Sequence, residues 1–156
     1  MDVSEAYELR RATAADAAAA RGLTREAYAK WIPVIGREPK PMTVDLDAAI
    51  RDHRVDLLCL GERIVALIET IAESEALLIE NVAVSPSWQG RGLGRRLMAH
   101  AERLAAEMGY GQIRLYTNTR IAENVAFYQR LGYTITREEP FLGGRVTHMS
   151  KLLGVA

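Results

Sequence analysis

The chain has 156 residues, 49% of them hydrophobic, enough for one domain of ordinary size with a substantial core. Its formal net charge is zero, which removes the electrostatic case for a nucleic-acid or membrane-surface protein. A single cysteine, Cys59, rules out an intramolecular disulfide framework, and without a long apolar run or leader-like segment the expectation is a cytoplasmic protein of one domain, residues 1–156.

Tyr7–Ala12 alternates as a short strand would. Thr13 stands where an N-cap would, and the alanine-rich run to about Trp31 reads as a helix. Pro33, Gly36, Pro39 and Pro41 break Ile32–Met42 into irregular loop. Thr43 is expected to cap a second helix, Val44–His53. Val55–Leu60 and Arg63–Ile71 are apolar and β-rich around Gly61-Glu62, a hairpin signal. After a polar turn at Glu73–Glu75, Ala76–Val84 forms the next strand. Leu93, Leu97, Ala101, Leu104 and Met108 then recur at helical spacing, with Gly109 placed as a C-terminal stop. Gln112–Thr117 is a strand, Ala122–Leu131 a helix ended by Gly132, and Tyr133–Arg137 and Arg145–Leu152 are strands joined by a loop with Pro140, Gly143 and Gly144.

The order is β-α-α-β-β-β-α-β-α-β-β. It implies an α/β domain with a mixed, largely antiparallel sheet of about seven strands and helices on both faces.

The most informative stretch is Glu80–Leu97, ENVAVSPSWQGRGLGRRL. A strand runs into a glycine elbow and then a helix. Gly90, Gly92 and Gly94 let backbone come close to a ligand. The first N–H groups of the helix lack internal partners and carry partial positive charge, so the elbow is an anion cradle, with Arg91, Arg95 and Arg96 around it. The bland alternative is a tight turn with solvated arginines. The Gly-x-Gly-x-Gly spacing is not the dinucleotide Gly-x-Gly-x-x-Gly, and no Gly-Lys-Ser/Thr follows as in a P-loop.

Gln89-x-x-Gly92-x-Gly94 directly after an apolar strand resembles the acyl-CoA signature of the GCN5-related N-acetyltransferase (GNAT) superfamily. Downstream, Glu123-Asn124-Val-Ala-Phe-Tyr128 with Leu131-Gly132-Tyr133 resembles that superfamily's second motif. The resemblance covers about Ala76 to Lys151; the first half is matched only in its order of elements. It implies a sheet splayed open between the strand with Glu80–Val84 and the strand with Gln112–Thr117. It also implies acetyl-CoA as acyl donor, without a metal, and transfer to a small-molecule or peptide amine by direct attack. By the same analogy the final strands can pair across a homodimer.

Such a transfer needs a neutral amine, a stabilised oxyanion and a proton for the departing thiolate. An alkyl amine of the lysine type has a pKa near ~10.4 and arrives as an ammonium. Glu80 is the first candidate for the base and Glu69 the second. Backbone N–H groups around Val82, Ala83 and Val84 would meet the oxyanion, and in resembling proteins Val82 and Val84 hold the pantetheine arm as an added strand would. The N–H groups of Gln89, Gly90, Arg91, Gly92, Leu93, Gly94 and Arg95 would take the pyrophosphate. Tyr128 matches the superfamily's general-acid tyrosine, and Asn124, one turn earlier, would hold the pantetheine or pyrophosphate region. Each has a structural alternative: a paired strand glutamate, core valines, an amphipathic core tyrosine, a solvated asparagine. Asn118 reads as a cap more than as a ligand contact, and Trp31 and Tyr28 as shaping or anchoring the acceptor side. His53, His100 and His148 lack metal spacing. A non-catalytic acyl-CoA sensor and a nucleotide-binding α/β domain are the competing readings.

Overall fold

A computed structural model describes residues 6–154; residues 1–5 and 155–156 lie outside the described part. Seven strands, β1 Tyr7–Arg11, β2 Arg54–Leu60, β3 Arg63–Ala72, β4 Leu77–Val84, β5 Gln112–Asn118, β6 Thr134–Phe141 and β7 Gly144–Leu152, form one sheet in the order β1-β2-β3-β4-β5-β7-β6. Only β4 and β5 pair in parallel; every other neighbouring pair is antiparallel. The β4–β5 crossover is made by α4, Leu93–Glu107. That length matches what a parallel connection requires. The mixed seven-stranded architecture expected from the element order is therefore present.

The core lies on both faces of the sheet. On one, Leu93, Leu97, Met98, Ala101 and Leu104 of α4 pack on Leu58, Ile68, Leu77, Ile79, Ile113 and Leu115. On the other, Ala20, Leu23 and Ala27 of α1 (Ala17–Tyr28) and Leu46 and Ala49 of α3 (Leu46–Asp52) cover Val55, Leu57, Cys59 and Leu67. Strands buried on both faces read as near-continuous apolar runs, and β2 and β3 do so apart from the buried Asp56, Glu69 and Thr70. Cys59, 3% exposed, is one of these core residues. Among the described residues no helix is long and apolar enough to cross a membrane.

Several local expectations are corrected. Pro33 does not open a loop. It sits in the first turn of a short helix, α2 Ile32–Ile35, where its missing N–H has no partner to lose. The cap of α3 is Asp45, whose Oδ1 accepts from Asp47 N and Ala48 N; Thr43 instead donates its hydroxyl to Lys40 O. Met108 is past the end of α4 and 47% exposed, so it does not face the sheet. Residues 138–141, expected as loop, extend β6, which tolerates Pro140 because it is the edge strand. The β6–β7 connection shrinks to Leu142-Gly143, both at positive φ.

Candidate functional site

The site begins where β4 and β5 part. Their ladder lasts three pairs, Leu77↔Ile113, Leu78↔Arg114 and Ile79↔Leu115, although β4 runs on to Val84 and β5 to Asn118. A bulge lies at the point of parting. On β3, Thr70 faces Ile79 and Glu69 faces Asn81, so Glu80 is the inserted residue with no opposite number. A bulge bends its strand and sharpens the local twist, which turns the rest of β4 away from β5.

Strand alternation then decides which groups face the opening. Ser85 N donates to Val65 O at 2.9 Å, toward β3. In an antiparallel ladder the next residue points its N–H and C=O the other way. Val84 and Val82 therefore aim both groups at the gap. Their carbonyls are met by side chains: Gln89 Nε2 donates to Val84 O at 3.1 Å, and the Tyr28 hydroxyl lies 2.9 Å from both Val82 O and Asn81 Oδ1. Lys30 Nζ in turn donates to Gln89 Oε1 at 3.0 Å. The N–H groups of Val82 and Val84 share that edge and have no strand beside them.

Beyond Val84 comes the elbow. A single 3-10 turn, Pro86–Trp88, leads to Gly90 and Gly92, at φ 79° and 78°. Only glycine adopts that region without strain. Gly92 is the N-cap of α4, so no side chain covers the first N–H groups of the helix. Gly94 has ordinary helical φ, and a Cβ there would sit in ordinary contact, 3.6 Å from the Phe127 ring. Val84, Trp88, Gln89, Gly90, Gly92, Leu93, Gly94, Arg95 and Phe127 line the hollow. Of the three arginines, Arg95 lines it directly. Arg91 lies over the Trp88 ring at 4.8 Å, and Arg96 over the Tyr7 ring at 5.7 Å.

A groove continues from the hollow along Val82–Val84, with α5 (Ala122–Arg130) as its far wall through Glu123, Asn124, Phe127 and Tyr128. Tyr28, Val82, Asn124 and Tyr128 also line a neighbouring cleft of about 70 Å³ between the separated strands. Burial pushes the Tyr128 phenol up to about 12, so it holds its proton at neutral pH. No hydrogen bond of its hydroxyl is formed among the described residues. Asn118 lines the cleft and spends its side-chain oxygen on Arg120 N at 2.9 Å, a local turn rather than the helix cap, which is Ile121.

The floor of the cleft holds a triangle. Lys40 Nζ lies 3.0 Å from Glu80 Oε1 and 2.6 Å from the Tyr116 hydroxyl, which donates to Glu80 Oε1 at 2.7 Å. Burial pushes the Tyr116 phenol up, and its bond to Glu80 adds to the effect. Glu80 is the one carboxylate lining the cleft among the described residues. Glu69 does not line it. It is 2% exposed and bonded at 2.6 Å to His53 Nδ1, with its carboxyl pushed up chiefly by burial. Glu80, Val82, Tyr128 and Asn124 are thus brought together, and the elbow residues lie farther along the same groove. Lys40 and Tyr116 escaped the sequence reading because they meet Glu80 from 40 and 36 residues away, with no spacing motif to mark them. Among the described residues no group of His, Cys, Asp and Glu is placed to hold a metal.

The surroundings of this site are matched by known proteins. Residues 52–135 match the model of the "Acetyltransferase (GNAT) domain". A segment of 68 residues is 35% identical to streptothricin acetyltransferase of Streptomyces lavendulae, covering 44% of this chain and 36% of that protein. The chain thus spans about a third of that relative's length. Among solved structures, the ribosomal-protein-S18-alanine N-acetyltransferase of Escherichia coli superposes with TM-score 0.77 over 96% of each chain at 20% identity. The PaiA N-acetyltransferase of Thermoplasma acidophilum, solved in complex with coenzyme A, superposes with TM-score 0.73 over 94% of this chain and 98% of its own at 16% identity. With the family model covering more than half of its length and the split sheet in place, the chain belongs to the GNAT acetyltransferase family.

Proposed function

We propose that the chain, as one acyltransferase unit, moves an acetyl group from acetyl-CoA to a primary amine by direct attack within a ternary complex. The observation that carries this reading is the open edge of β4, with N–H groups at Val82 and Val84 unpaired among the described residues, between an anion-binding elbow and the cleft that holds Glu80. The diphosphate would lie on the N–H groups of Gln89–Arg95, with Arg95 beside it. The pantetheine arm would run along Val82–Val84 as a ligand strand, with Asn124 on the other wall. Glu80 would take the proton of the acceptor ammonium, and the amine would then attack the thioester carbon. The Val82 and Val84 donors would hold the oxyanion, whereas the Ala83 N–H faces β3; one such donor is typically worth about 3–4 kcal/mol. As the C–S bond breaks, Tyr128, still protonated at neutral pH, would hand its proton to the thiolate and regain one from the nitrogen as it becomes an amide.

Calorimetry with coenzyme A, and thiol release across a panel of amines, test this together. Tyr128→Phe and Glu80→Gln are expected to bind coenzyme A as the parent does and to turn over roughly a hundredfold slower. Absence of coenzyme A binding at millimolar concentration would sink the reading. The occupation of Glu80 by Lys40 favours a second one, an acyl-CoA-binding sensor without external turnover. That reading predicts coenzyme A binding and no thiol release with any amine.

A further inference from the structure

The triangle in the cleft contains an amine already. We propose that Lys40 is itself an acceptor, so that the chain acetylates its own Lys40 ε-amine in cis. This rests on the transferase reading above, because the acyl donor is the same bound acetyl-CoA.

Four observations carry it. Lys40 opens a one-turn helix, Lys40–Thr43, between Pro39 and Pro41, and these fix φ on both sides, so the backbone holds the side chain over the cleft. It is the one lysine lining the cleft among the described residues. Its Nζ stands 3.0 Å from the candidate base, where the ammonium of an outside acceptor would have to come to lose its proton. And the cleft shares Tyr28, Val82, Asn124 and Tyr128 with the groove where the thioester would lie. Val82 is two residues along β4 from Glu80, roughly 6–7 Å at strand spacing. A rotamer change of a flexible lysine stem spans that distance. Burial works to lower the Lys40 pKa, but the bonds from Tyr116 and Glu80 outweigh it and the value is raised. Lys40 thus waits as an ammonium and needs the same deprotonation as any outside amine.

A purely structural ion pair accounts for these contacts less well. The Lys40 side chain is 41% exposed, and a pair of that kind is worth little. It also neutralises the only carboxylate in the cleft among the described residues, which would idle the base unless Lys40 is consumed or displaced. The transfer balances. The ammonium proton of Lys40 passes to Glu80, and the nitrogen lone pair forms an amide with the acetyl carbon. The C–S bond then breaks, the thiolate takes the Tyr128 proton, and the second proton that the nitrogen sheds on becoming an amide restores the Tyr128 phenol. The products are Nε-acetyl-Lys40 and free coenzyme A.

The experiment is incubation of the purified full chain with acetyl-CoA and no added amine. It is followed by intact-mass measurement, peptide mapping and thiol release. One acetyl group per chain is expected on Lys40, with Lys30 and Lys151 unmodified. The rate should not change with protein concentration across an approximately hundredfold dilution, as an intramolecular step requires. Lys40→Arg should abolish the mark while keeping the thermal shift caused by coenzyme A, and Tyr128→Phe should slow marking roughly a hundredfold. Coenzyme A binding and external-amine turnover with Lys40 unmarked overturns the inference and leaves the proposed function standing. Labelling spread evenly over the three lysines, or indifferent to Tyr128→Phe, is spontaneous chemistry and overturns it too. If coenzyme A does not bind, both fall together.

Discussion

The two ends of β4 follow one strand geometry and differ in what lies beside them. At Leu77–Ile79 the strand has β3 on one side and β5 on the other, and all three side chains are buried. At Glu80–Val84 it has β3 alone. The residue types barely change: LLI on one side of the bulge, NVAV on the other. The difference comes from withheld pairing. One inserted residue separates a fully satisfied core ladder from a row of donors aimed at a cleft.

The first way to break the contrast is to damage the closed end. Ile113, opposite Leu77, is wholly buried, and Ile113→Ala is expected to cost about 2–5 kcal/mol, read as a lowered urea midpoint with unchanged slope. A loss under about 1 kcal/mol would mean the ladder end is not the anchor described here.

The open end should show in pH dependence. Tyr128 is about 12 in the folded chain against an ordinary value near 10. A group with a raised folded pKa contributes stability that is complete below the unfolded value and lost as pH rises through the folded one. Melting temperatures should therefore fall between about pH 10 and 12, and Tyr128→Phe should reduce that slope. An unchanged slope would mean that Tyr128 is not held in the groove wall.

The elbow sharpens the comparison next. A Cβ on Gly92 meets nothing within 4 Å, so Gly92→Ala isolates the strain of its φ of 78°, about 1–2 kcal/mol. Calorimetry should show coenzyme A affinity weakened roughly five- to thirtyfold. Gly94→Ala, in ordinary contact with Phe127, should weaken it less. Equal losses would show that size rather than conformation rules the elbow.

The smallest effect is expected from Tyr28→Phe. It removes the donor to Val82 O and costs about 0.5–1.5 kcal/mol. Hydrogen exchange at Ala83, paired with Leu67 of β3, should quicken while Leu78 stays protected. Uniform acceleration along β4 would erase the distinction between its ends.

Much of this was legible in the sequence, and the reasons differ by region. The β2–β3 hairpin and α4 announce themselves through period and glycine, because local pattern and tertiary packing agree there. The elbow was legible because positive φ at Gly90 and Gly92 demands glycine. The bulge at Glu80 was not, since LLIENVAV reads as one continuous strand and only the register against β3 reveals the extra residue. Lys40 and Tyr116 were invisible for a related reason: they stand 76 residues apart and meet only through the fold. Asp45 displaced Thr43 as cap because an aspartate one residue from the helix reaches two N–H groups at once. Met108 kept the helical period and lost its burial because the helix ends just before it.

The side chains that meet Val82 and Val84 have one more consequence. An interior sheet edge left open is a template for another chain, and proteins blunt such edges. Here the blunting is one-sided. Tyr28 and Gln89 occupy the carbonyls and leave the amides. A stray β-segment, which must donate as often as it accepts, finds half of its rungs missing, whereas a molecule arriving with carbonyl oxygens finds its half ready. The same two side chains thus guard the fold against aggregation and bias the gap toward acceptor-rich guests.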